Sequence, residues 1–161
     1  MERRADRNPW LALLVLCIVL PAVARDKVDP LVQRGRYVVQ TTGCNTCHTA
    51  TFAMVGGKIP ESEWLTGDKV GWRGIWGTTY ATNLRLYMQE MTEEQWLEKA
   101  RTLSSRPPMP WFAIQAMNDD DLRAIYRYVR SLGPAGKPAP SYIPPLLTPR
   151  GPYVQFPFLP L

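Results

Sequence analysis

The stretch "TTGCNTCHTA", Thr41 to Ala50, places two cysteines two residues apart and follows the second at once with the only histidine of the chain. Four chemistries use such a cluster: a dithiol redox pair, half of a zinc site, a structural disulfide, or thioether attachment of a haem. What surrounds the cluster decides between them.

Upstream, Arg3, Arg4 and Arg7 precede an uninterrupted apolar run over residues 10–20, and Ala22-Val23-Ala24 offers a small-x-small cleavage site. This pattern predicts a secretory signal peptide over residues 1–24, because the run falls short of the roughly 20 apolar residues of a spanning helix. No transmembrane anchor is expected after cleavage, and the chain is expected to be exported. Cys17 reads as filler of the apolar segment, since Leu16 stands where lipoprotein processing wants a small residue. The remaining 137 residues are enough for one domain with a modest core. They hold only Cys44 and Cys47, too few for a disulfide framework. The leader takes three arginines against Glu2 and Asp6, so +4 of the formal +5 charge remains. That charge suits a protein partner or an anionic surface, and no basic stripe marks a nucleic-acid face.

Downstream and upstream of the motif the pattern is helical. Asp29-Pro30 is a helix start, with a carboxylate cap and a proline at the first helical position. Leu31, Gly35, Val38 and Val39 then share a face, and Gly43 stops the helix just before the first cysteine. A second helix is expected from Thr92 to about Leu103, with Thr92 and Gln95 as a capping box, ended by the three prolines of "SRPPMP". A third runs from Asn118 to about Leu132, with Asp119 to Asp121 in its first turn and Leu122, Ile125, Tyr126, Val129 and Leu132 on one face. Between Phe52 and Leu86 the periodicity gives way to a glycine-punctuated loop rich in tryptophan, too aromatic for disorder. More than half of the 16 prolines fall in residues 134–161, which read as an extended, polyproline-like tail with an apolar end, "YVQFPFLPL".

These surroundings sort the four chemistries. Zinc lacks a second pair of ligands anywhere in the mature chain. A thioredoxin-like dithiol sits between a strand and a helix, whereas a helix precedes this one. Haem attachment uses the residue types present: two thiols add to the vinyl groups, and the adjacent His48 is carried to the iron. Export to an oxidising compartment agrees with it, and no free cysteine would remain.

The chain thus resembles a class I c-type cytochrome, and is similar to the small cytochrome c domains that accompany bacterial periplasmic dehydrogenases. The resemblance runs from about Val28 to Leu132 through "RGRYVVQTTG", "CNTCH", "GTTYATNL", "PPMPWFAIQAM" and "DDDLRAIYRYVRSL". It implies an all-α fold: three main helices around one haem c, attached through Cys44 and Cys47, with a long haem-covering loop. The domain would span residues 25–133 and the Pro-rich tail residues 134–161. The first and last helices of the family cross at a glycine and an aromatic, here Gly35 with Tyr128 or its neighbour Ile125. Where family members continue the asparagine-leucine pair with threonine, proline and an acid, this chain has Arg85-Leu86-Tyr87.

With one histidine, a bis-histidine iron is excluded within the chain, and the sixth position is left to a methionine, a lysine or no protein ligand. Met109, between Pro108 and Pro110, occupies the place where the family puts its ligand, and Met117 is the second candidate. Tyr80 and Asn83 are candidate cofactor-binding residues on the family match. Trp64, Trp72, Trp76, Trp111, Phe112 and Arg73 are candidates to enclose the cofactor or to donate to its propionates. The expected function is one-electron transfer from a dehydrogenase toward the respiratory chain, without enzymatic activity of its own. A gas-binding or sensory haem protein with an open sixth position is the competing class. A dehydrogenase, another cytochrome or an oxidase is the expected redox partner. The tail is expected to be a strap, laid along a partner or back across the cytochrome's own surface, with anchors between Tyr142 and Leu159.

Overall fold

In the computed structural model, residues 29–157 are described, so the leader expected over residues 1–24 lies outside them, as do Phe158 and Leu159. The first helix, α1 (Pro30–Thr41), begins where the Asp29 carboxylate accepts the N–H of Leu31 and Pro30 occupies the first helical position. It ends with the Thr42 N–H on the Val38 carbonyl, and Gly43, at φ 78°, turns the chain into α2 (Cys44–His48). Only a residue tolerant of the left-handed region makes that turn cheaply, so the motif is set directly against the end of α1.

α3 (Leu84–Tyr87), α4 (Glu93–Arg101) and α5 (Trp111–Ala116) lead to α6 (Asp119–Ser131). The capping box of α4 is present in both halves, Thr92 to the Gln95 N–H and the Gln95 side chain back to the Thr92 N–H. Asn118 caps α6 by accepting the N–H of Asp121. α1 lies against α6, and a Cβ on Gly35 would run into the Ala124 carbonyl and the Tyr128 Cβ. The two backbones approach closely because there is no side chain between them. Arg34 to Asp121, at 2.7 Å, and Arg127 to Asp29, at 3.4 Å, flank this crossing. α4 joins from the other side: Trp96 Nε1 donates to the Leu122 carbonyl at 2.8 Å, and Glu93 receives both Arg123 and Arg127. Val38, Val39, Leu65, Met88, Ala100, Leu122, Ile125 and Val129 form the core these helices share.

The all-α expectation needs correcting. β1 (Gly71–Gly74) and β2 (Gly77–Tyr80) form an antiparallel hairpin within the long loop, with Trp72 opposite Thr79. β3 (Tyr153–Gln155), from the tail, pairs parallel to β1, with Trp72 opposite Val154, so the sheet order is β2-β1-β3. Strands of three or four residues are too short to show an alternating pattern, and glycine opens both β1 and β2, which is why the sequence reads as loop there.

The tail crosses the chain's own surface and borders both edges of the hairpin. On the β2 side Thr78 and Ile143 exchange backbone hydrogen bonds of 2.7 and 3.0 Å. On the β1 side β3 is followed by Phe156, whose ring lies 6.0 Å from Trp72 and 5.3 Å from Trp76. Between them Arg73 donates to the Leu147 and Pro145 carbonyls at 2.5 and 3.3 Å. The tail is held by backbone pairing together with these side-chain contacts, while Leu146, expected as an apolar anchor, is 96% exposed. No helix among the described residues is long and apolar enough to cross a membrane.

Candidate functional site

α2 ends in a predominantly apolar cavity of about 300 Å³, within the size range of cofactor pockets. Cys44, Cys47 and His48 line it on one side, and Met109 with its flanking prolines Pro108 and Pro110 also lines it. Helix geometry brings the three motif side chains to one wall: Cys44 and His48 are one helical turn apart, and Cys47 lies next to His48. Both cysteines are free thiols. Burial pushes the Cys44 thiol up, and burial, Asp68 and Cys44 together push the Cys47 thiol up.

His48 is 9% exposed, and its Nδ1 lies 2.7 Å from the Thr82 carbonyl. A carbonyl can only accept, so Nδ1 carries the proton and Nε2 holds the lone pair available to a metal. Burial lowers the imidazole pKa, while the Thr82 hydrogen bond acts in the opposite direction. The ring is thereby held neutral and oriented, the form that ligates a metal. Thr82 is a position that sequence reading misses, because it acts through its backbone.

Met109 sits in the irregular segment between α4 and α5. The segment is tied down on either side of the sulfur: Thr79 Oγ1 donates to the Pro107 carbonyl at 2.8 Å, and the Trp111 N–H returns to the Met109 carbonyl at 2.9 Å. Met117, at the end of α5, and Met88 also line the cavity; Met88 is fully buried in the core. Tyr80, at the end of β2, lines the cavity as well, as do Trp72 and Trp96.

Other expected participants are placed elsewhere. Asn83 does not line the cavity; its Oδ1 accepts the Leu86 N–H, and its Nδ2 donates to Ala135 and Lys137 in the tail. Arg73 is directed to the tail, and Trp64 is buried with its Nε1 on the Ile59 carbonyl. Phe112 is 63% exposed. Arg85, at the departure from the family pattern, is buried and donates to the carbonyls of Leu132, Gly133 and Ser62. It closes the carboxyl end of α6, where a cation opposes the helix dipole.

The donor set fits a covalently held iron porphyrin: two free thiols, one a helical turn from and one adjacent to an imidazole with its Nε2 available, and a thioether, all on one apolar cavity. The family described as cytochrome c matches residues 32–133. The chain is also similar to the protein named gluconate 2-dehydrogenase cytochrome c subunit of Pantoea cypripedii, 27% identical over 125 residues. That match covers 65% of this chain and 27% of the relative, so the chain spans about a quarter of the relative's length. No solved structure matches the chain.

Proposed function

We infer that this chain, which belongs to the cytochrome c family, is a monohaem electron carrier or electron-transfer subunit that receives single electrons from a dehydrogenase. Haem c is its cofactor, joined through Cys44 and Cys47. When bound, the haem supplies a one-electron couple between ferric and ferrous iron. The rest is done by the chain. His48 offers Nε2 from a ring that Thr82 holds in one tautomer. Met109 is the proposed second axial ligand, on a loop that flanking prolines stiffen, and such a loop keeps a weak thioether ligand in place. A methionine ligand together with the histidine would raise the reduction potential and leave no open position for substrate. The cavity wall of Trp72, Tyr80, Trp96 and Ile114 is predominantly apolar and would limit the access of water to a haem held there. Tyr80 is the proposed cofactor contact from β2.

The observation that carries this reading is the convergence of both thiols, the oriented imidazole and the Met109 loop on one cavity. The arginine-led apolar segment of residues 1–24 supports export and cleavage, and hence a periplasmic site of action. The name of the relative supports a dehydrogenase as the electron donor.

Expression with haem-attachment machinery is expected to give a protein that keeps its haem through acid-acetone extraction, and a Cys44→Ser, Cys47→Ser double variant that does not. Met109→Ala is expected to abolish the methionine-to-iron charge-transfer band of the ferric protein and to let the ferrous protein bind carbon monoxide. Met117→Ala is expected to do neither. If Met117→Ala abolishes the band instead, the ligand assignment is wrong.

A further inference from the structure

We propose that the C-terminal tail is a clamp on two segments, the Thr82–Asn83 backbone that orients His48 and the loop that carries Met109, with Asn83 and Tyr142 as its positioning residues. The inference rests on Met109 being the second ligand.

On the histidine side the clamp acts through the backbone. Thr82 accepts the His48 Nδ1–H at 2.7 Å, and the next residue, Asn83, is 2% exposed. The Asn83 amide divides its work: Oδ1 accepts the Leu86 N–H at 3.1 Å, while Nδ2 donates to the Ala135 and Lys137 carbonyls at 2.8 and 3.2 Å. Gly136 lies between those two carbonyls at φ 75°, and a Cβ there would stand 3.1 Å from Asn83 Nδ2 and 3.2 Å from Thr66. The first turn of the tail is therefore seated against the amide with no room to spare. Release of that turn frees the backbone that orients His48.

On the methionine side the clamp acts through a ring. The Arg106 guanidinium lies 3.8 Å from the centroid of Tyr142, and Arg106 lines the cavity three residues before Met109. The ring itself is fixed: the Tyr142 hydroxyl donates to the Trp76 carbonyl at 2.9 Å, and the ring packs so closely on Gly77 that a Cβ there would be 2.8 Å from it. A cation held over a fixed aromatic face restrains the loop that begins with it. The next residue, Ile143, is locked to Thr78 by two backbone hydrogen bonds, so the ring cannot leave without opening that pair.

The test uses full-length, haem-loaded protein. Exogenous imidazole competes with Met109 for the iron, and its apparent affinity reports how often the Met109 loop is open. Tyr142→Ala is expected to tighten imidazole binding about fivefold, the scale of one lost cation–π contact. Arg106→Gln is expected to do the same, whereas Tyr142→Phe, which keeps the ring against Arg106 and Gly77 but loses the bond to Trp76, falls between Tyr142→Ala and the wild type. Asn83→Ser keeps an oxygen acceptor for the Leu86 N–H and adds no charge, but it loses the donor to Ala135 and Lys137, so the tail is released. Its expected result is a raised reduction potential, since a weaker hydrogen bond from His48 makes the imidazole a poorer donor to ferric iron. A merely structural role would lower melting temperature in these variants without moving imidazole affinity or potential. If Met109→Ala retains the charge-transfer band, the ligand reading fails and the clamp with it. If Met109→Ala removes the band while Tyr142→Ala and Arg106→Gln bind imidazole as the wild type does, or Asn83→Ser keeps the wild-type potential, the two-sided clamp is overturned.

Discussion

The Tyr128 hydroxyl, on a side chain 2% exposed, donates to Glu61 Oε1 at 2.7 Å, and Arg36 Nε approaches the same carboxylate at 2.9 to 3.0 Å. Burial pushes the Glu61 carboxyl up, but Tyr128 and Arg36 together outweigh it and hold the carboxyl below its ordinary 4.5. A depressed carboxylate stabilises the fold at pH above 4.5, and that contribution disappears as the pH falls through the lower folded value. Tyr128→Phe removes one charge-assisted donor from a partly exposed carboxylate, so a loss of about 1 kcal/mol is expected in denaturant unfolding at neutral pH. The same comparison well below 4.5 should show a smaller gap between variant and parent; a gap that grows in acid would refute the assignment. Tyr128 itself is held protonated, mainly by burial and then by Glu61. At this scale, what the sequence makes legible is whatever is covalent or local. Cys44, Cys47 and His48 announce their chemistry by adjacency, and Met109 stands out by its two prolines and its place in the family match, and it lines the cavity. Thr82 and Arg85 do not, because one acts through a carbonyl and the other through three carbonyls from distant segments. Asn83 is a family-matched residue whose amide the tail has taken.

Between elements, the crossing of α1 and α6 is the contact most sensitive to a single atom. Gly35→Ala places a methyl group against the Ala124 carbonyl and the Tyr128 Cβ, both rigid parts of a helix. Alanine is the better helix former, so local propensity alone would favour the change. Overpacking wins, because neither neighbour is the free end of a flexible side chain, and a destabilisation of about 3 kcal/mol is expected by denaturant titration. A variant as stable as the parent would mean that the helices are further apart than described. The three capped helices can be read from sequence since Asp29-Pro30, Thr92 with Gln95, and Asn118 are local signals attached to repeating apolar faces. α3 and α5, of four and six residues, are too short to display a period. The sheet escapes for another reason: β3 joins β1 from some eighty residues away, and nothing in either segment names its partner.

Taken over all the described residues, the tail is wrapped on the outside of a helical domain, and the wrapping covers both edges of a hairpin that would otherwise offer unpaired backbone to solvent. A chain ending at Gly133 should therefore melt at a lower temperature while keeping its helices, at roughly 3 °C for each kcal/mol lost in a domain of this size. Unchanged melting would show that the wrapped segment contributes no stability. The parallel pairing of β3 with β1 also has a consequence in time. Made from its amino terminus, the chain completes Cys44, Cys47 and His48 more than a hundred residues before Tyr153 exists. Pairings between segments far apart in sequence are slow to close. An enzyme that joins porphyrin to the two thiols thus meets a young chain whose outer strap has not yet been laid, and the shortened chain should accept its haem as readily as the full one.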